Sequence, residues 1–108
     1  MNDLMTKASL SAPRRRLLEI MQRLNFGRID DLEIRNGDPV FNPVPRIVQD
    51  IKLGGENSQR PELRNADFVL KSEVAEFFDH LSRLGNGSVE SIEVKYGLPF
   101  KLAIEMLS

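Results

Sequence analysis

The chain has 108 residues, 41% of them hydrophobic and 29% charged, and a formal net charge of −1. That is enough for one hydrophobic core and too little for two, and it supplies no overall field to draw the protein onto nucleic acid or an anionic membrane. With no cysteine, disulfides, thiolate metal sites and thiol nucleophiles are excluded, and no apolar run approaches membrane-spanning length.

The opening stretch, MNDLMTKASLSA, lacks the apolar middle of a secretory signal, so a cytoplasmic protein is the expectation. Residues 1–10 show no sustained period and read as a disordered tail before a single domain over 11–108. Ser11 is a good N-cap, and Pro13 suits the first turn of a helix. Leu17, Ile20, Met21 and Leu24 recur at helical spacing and predict a helix over about 12–25. The stretch 27–41, GRIDDLEIRNGDPVF, then reads as strand, turn and returning strand. Asn36-Gly37 tolerates the positive φ of a two-residue hairpin turn. Simple alternation puts Leu32 and Ile34 on the core face and leaves Ile29 among charges on the other. Residues 46–53, RIVQDIKL, predict a third strand between the prolines and a Gly-Gly pair.

Residues 54–66, GGENSQRPELRNA, are polar and make a natural linker. Leu70, Val74, Phe77, Phe78 and Leu81 predict a second helix over about 70–84, stopped by Gly85. Strands at about 88–95 and 98–106 complete the chain. Tyr96 is a poor first turn residue, which predicts a type II turn or a longer loop there. By alternation, Val89 joins Ile29 and Val48 on the uncovered sheet face, and Phe100, Leu102, Ile104 and Met106 share one face. The order is α-β-β-β-α-β-β, and the class is α+β with two helices packed on a largely antiparallel sheet.

The segment 27–41 repeats at 87–101. Of fifteen ungapped pairs, four are identical (Gly27/Gly87, Glu33/Glu93, Gly37/Gly97, Pro39/Pro99) and five conservative. Each copy follows an apolar helical segment, LLEIMQRL or VAEFFDHL, in a register shifted by three residues that the joint at Leu84-Gly85-Asn86 absorbs. These matches predict an internal helix-hairpin duplication, with copies over about 11–53 and 67–107.

By Phe26-Gly27-Arg28-Ile29 and Asn36-Gly37-Asp38-Pro39-Val40, the first half resembles a group of short bacterial proteins of unknown function, built as one helix and a small β-hairpin. The likeness covers about 17–53 and, in part, the second half. It implies a bacterial origin and the helix-hairpin unit, and it brings no catalytic residues.

The chemistry-bearing residues are few. His80 is the sole histidine and has only Asp79 beside it, so a half-exposed structural role outweighs a catalytic one. Asp30, Asp31, Glu33 and Asp38 cluster in the first hairpin, where a solvated strand face outweighs a metal or acid-base site. Gly54-Gly55 follows a strand but lacks the Gly-Lys-Ser/Thr ending of a phosphate loop. Arg14, Arg15 and Arg16 are unusual: three cations in a first helical turn oppose the macrodipole. They form a possible anion- or partner-binding site, and on local helix energetics alone their replacement leaves the fold unharmed. The expectation is a non-enzymatic module without a cofactor that engages a protein partner or a second copy as a homodimer. The alternative is a nucleic-acid-binding regulator using Arg14–Arg16.

Overall fold

The computed structural model describes residues 7–54 and 72–105. The first six residues of the expected tail, linker residues 55–66, the segment leading into the second helix and the last three residues lie outside the described part. Lys7–Ser9 form a 3-10 turn, and Leu10 is buried in the core, so ordered structure starts before residue 11.

Two helices and five strands follow: α1 (Ala12–Leu24), β1 (Gly27–Arg35), β2 (Asp38–Val40), β3 (Arg46–Gln49), α2 (Ser72–Leu84), β4 (Gly87–Lys95) and β5 (Leu98–Ile104). All pairings are antiparallel, in the order β2-β1-β4-β5, with β3 lying beside the other end of β1. The order and the α+β class are those the sequence predicts. The third strand is shorter than expected, because Asp50, Ile51 and Lys52 leave the ladder; the Asp50 N–H still donates to the Phe26 carbonyl at 2.8 Å.

α1 begins where Ser11 Oγ accepts the Arg14 N–H, with a proline in its first turn, as expected for a capped start. Its apolar stripe buries Leu17, Leu18, Met21 and Leu24, and α2 contributes Val74, Phe77, Phe78 and Leu81. Phe77 and Phe78 meet edge to face, 5.1 Å between centroids.

Ile29 and Val89 belong to this core and not to the open face: both are fully buried, like Leu32, Ile34, Ile92 and Val94. Strict alternation fails because Asp31 takes a left-handed conformation (φ 58°), and neither Asp31 nor Glu90 enters the ladder. The interruption switches side-chain parity between Ile29 and Leu32, and on the facing strand between Val89 and Ile92. The outer face is left to Arg28, Asp30, Glu33, Arg35, Glu93 and Lys101. These pair as Arg28–Asp30 (3.1 Å), Arg35–Glu33 and Lys101–Glu93 (3.7 Å).

Equivalent elements keep one spacing throughout. Ala12 and Ser72, Leu24 and Leu84, Gly27 and Gly87, and Arg35 and Lys95 are each 60 residues apart. The helices therefore share the register of the hairpins, and the expected three-residue shift between them does not occur. LLEIMQRL corresponds to FFDHLSRL at 77–84, so Leu17, Leu18 and Met21 match Phe77, Phe78 and Leu81. The central ladder maps onto itself under this spacing: Gly27 pairs with Val94 and Ile34 with Gly87, while Ile29 pairs with Ile92 and Leu32 with Val89. The turns agree as well. Asn36 and Gly37 have φ of 54° and 78°, and Tyr96 and Gly97 have 55° and 73°. Tyr96 thus adopts the same turn as Asn36 instead of a type II turn, held by its ring against Phe26 at 4.9 Å.

Each turn is tied to the helix end of the other unit. The Gly37 N–H donates to the Gly85 carbonyl (2.8 Å), and the Gly97 N–H donates to the Asn25 carbonyl (2.9 Å).

Two substitutions test this account. Phe78→Ala removes a fully buried ring and is expected to lower unfolding free energy by roughly 3–5 kcal/mol in a denaturant titration. Gly27→Ala places a Cβ 2.1 Å from the Val48 carbonyl oxygen, so it should detach β3. Faster hydrogen exchange confined to Arg46–Gln49 and its partners on β1 would report that loss.

Candidate functional site

Arg14 and Arg16 leave the first turn of α1 toward different partners. Arg14 is held within the fold, its side chain 15% exposed. Its Nε and Nη2 donate to the Gly37 carbonyl at 3.1 and 2.8 Å, and Nη2 also donates to Ser82 Oγ at 2.6 Å. Asp38 lies 3.3 Å from Nε and accepts the Ser11 hydroxyl at 2.8 Å. The guanidinium also sits 5.4 Å from the centre of the Phe78 ring. This one side chain fastens the first hairpin turn to α2. Gly37 makes the close approach possible, since a Cβ there would lie 3.0 Å from Arg14 Nη2 and 3.3 Å from Ser82 Cα. Arg16 is exposed and lies over Phe41, 4.4 Å from the ring centre. Any anion site at this helix start therefore rests on Arg15 and Arg16, with Arg14 already engaged.

The acidic residues of the first hairpin are dispersed. Asp30 pairs with Arg28, Glu33 with Arg35, Asp38 with Ser11 and Arg14, and Asp31 is exposed at the parity switch. Among the described residues no three His, Asp or Glu side chains are placed to hold a metal ion. Gly54 forms part of a turn after β3. No helix among the described residues is long and apolar enough to cross a membrane.

A concave surface lies elsewhere, between α2 and β5, as a groove of about 570 Å³. Phe77, Pro99, Leu102 and Ile104 supply its apolar floor, and Glu73, Glu76 and His80 stand along the helix side. Pro99, Leu102 and Ile104 face the core because they pair with Val94, Ile92 and Val89. A register shift between Glu93 and Val94 displaces Phe100 from that alternation and leaves it 62% exposed, with Lys95 Nζ 4.1 Å from its ring centre. Phe100 therefore does not share the face of Leu102 and Ile104 as alternation predicts. His80 has Glu76 Oε2 at 4.0 Å, while its sequence neighbour Asp79 pairs with Arg83 at 2.6 Å.

The two sheet edges differ. On the β2–β3 side the strands are three and four residues long and are separated by a stretch containing Pro43 and Pro45, which lack an N–H. On the other side β5 runs for seven residues and, among the described residues, pairs only with β4. The corresponding flank of α1 also differs from that of α2. There Phe41, half-buried, packs against the core beneath Arg16, the counterpart of Glu76. A second concavity, of about 440 Å³, lies by Phe26, Ile51 and Lys95.

No family model, no curated protein and no solved structure matches this chain.

Sequence reasoning singled out the arginines and missed the groove. The signal for the groove was present: LPFKLAI carries an apolar residue on both parities, which a half-buried strand with simple alternation does not need.

Because Arg14 bridges two units, Arg14→Ala should leave the Gly37 carbonyl without its donors and lower unfolding free energy by about 1.5–3 kcal/mol. Arg15→Ala, at a half-buried side chain, should lower it by less than Arg14→Ala. Parallel thermal melts of the two variants check the difference.

Proposed function

We infer that this chain is a protein-interaction module, not a catalyst, and that it takes its partner on the flank of the second unit. Phe100 carries this reading. A large apolar side chain stands 62% exposed at the rim of an apolar groove, on a strand whose outer edge pairs with nothing among the described residues. Exposed apolar surface bordered by polar side chains is characteristic of interaction sites, and an unpaired strand offers backbone donors and acceptors to a partner. The carboxylates that a catalytic reading needs favour the same conclusion, since Asp30, Glu33 and Asp38 are each taken up by a neighbouring cation. The common spacing of the two helix-hairpin units supports their origin by internal duplication. The resemblance of the first half supports a bacterial setting, and the opening stretch without a secretory pattern supports a cytoplasmic one. The nucleic-acid reading has lost Arg14 as a free donor and has less support.

A photo-reactive side chain at position 100 tests the site. In cells it should give protein adducts, including self-adducts if the partner is a second copy. The same group at Asp31, exposed within the interior strand β1, should give few. Equal yields from both positions, or none from position 100, would overturn the reading.

A further inference from the structure

We propose that the occupant of the α2–β5 groove is an extended segment of another protein that adds a sixth strand to β5 and carries arginine or lysine on its groove-facing side. The proposal rests on the interaction-module reading and names the partner's chemistry. Three features of the site converge on it.

The first is the backbone. The β2–β3 edge is divided by the connection carrying Pro43 and Pro45, whereas β5 is one continuous strand whose stretch beyond Pro99, Phe100 to Ile104, has one side unpaired among the described residues. An incoming strand satisfies that row of N–H and C=O groups by ladder pairing. The second is shape. Alternate side chains of an added strand fall over Phe77, Leu102 and Ile104, so those positions have to present apolar surface.

The third is charge. Glu73 and Glu76 lie one helical turn apart on the wall of the groove. Lys101, the lysine of the lining, is paired with Glu93 at 3.7 Å. The groove therefore presents net negative charge above an apolar floor. Arginine and lysine match both parts, with an aliphatic stem on the floor and a cationic head at the carboxylates. Alternate residues of a strand are about 7 Å apart and a helical turn rises about 5.4 Å, so successive groove-facing cations can reach Glu73 and Glu76 in turn.

The same charges argue against a second copy as the occupant. The residues that β5 turns to the core side of the groove are Pro99, Leu102 and Ile104, none of them a cation, and Lys101 of the lining is already paired with Glu93. Twofold β5–β5 pairing would bring Glu73 and Glu76 of both copies around one shared groove, where like charges oppose each other.

The test uses the whole chain and three nine-residue peptides at near-physiological salt. One alternates threonine with valine and arginine, with the arginines two residues apart (Thr-Val-Thr-Arg-Thr-Arg-Thr-Val-Thr). The second has glutamate for arginine, and the third has serine. Backbone amide NMR should show the arginine peptide shifting resonances of Leu98–Ile104 and of the Glu73–His80 face. It should bind about tenfold more tightly than the glutamate peptide, the ratio expected when two exposed ion pairs take the place of two like-charge repulsions. Glu73→Gln with Glu76→Gln alters only exposed side chains of α2, so the fold should persist while the preference disappears. Equal affinity for all three peptides, or shifts confined to another surface, would overturn the proposal. Concentration-dependent dimerisation through β5 without peptide would overturn this occupant while leaving the interaction site standing. Failure of the peptides together with an absence of adducts at position 100 would remove both.

Discussion

Everything in this molecule hangs on the antiparallel ladder between β1 and β4. These are the two interior strands, and each must satisfy a neighbour on both sides while burying one face. Ile29, Leu32, Val89 and Ile92 meet at its centre and are fully buried. Both strands pass through the same interruption at Asp31 and Glu90, so parity changes on the two sides together and the core face stays continuous. A change in only one strand would set apolar side chains against charged ones. The helix ends then lock the arrangement, because each unit's turn donates to the carbonyl closing the other unit's helix. Neither unit completes its own hydrogen bonding.

The order of elements, the two helix faces and the first hairpin turn were legible because each has a local cause: apolar residues at helical spacing, Ser11 and Gly85 at the caps, Asn36-Gly37 at the turn. The errors came where a local rule meets a second one. Ile29-Asp30-Asp31-Leu32 and Val89-Glu90-Ser91-Ile92 each hold two polar residues between apolar ones. That spacing marks a parity switch, but strict alternation reads it as two faces. The helix register was misjudged because matching Leu17 to Val74 weighed hydrophobicity alone. Setting LLEIMQRL against FFDHLSRL pairs Glu19 with Asp79, Arg23 with Arg83 and Leu24 with Leu84.

Arg14 was misread for a different reason. Its position in the first turn of α1 is unfavourable within the helix, and that cost is visible in sequence. What offsets it is a carbonyl 23 residues away and a serine 68 residues away, and long-range partners of that kind carry no sequence signal. Tyr96 follows the same logic, since its left-handed turn is supported by a ring on the far helix joint. The groove beside β5 is also a product of tertiary structure. Phe41 closes the equivalent flank of the first unit, whereas the register shift in β4–β5 carries Phe100 outward.

The prolines of the β2–β3 edge bear on more than that edge. An assembly that grows by strand addition needs two receptive edges per subunit, one to receive and one to be received. Pro43 and Pro45 withhold backbone N–H groups from one side of this sheet, so a strand taken up at β5 has no counterpart through which the chain could continue. On the proposed strand addition, growth would end after a single event. The fold can thus leave one apolar strand open to a partner without the open-ended stacking that makes exposed edges hazardous in other sheets.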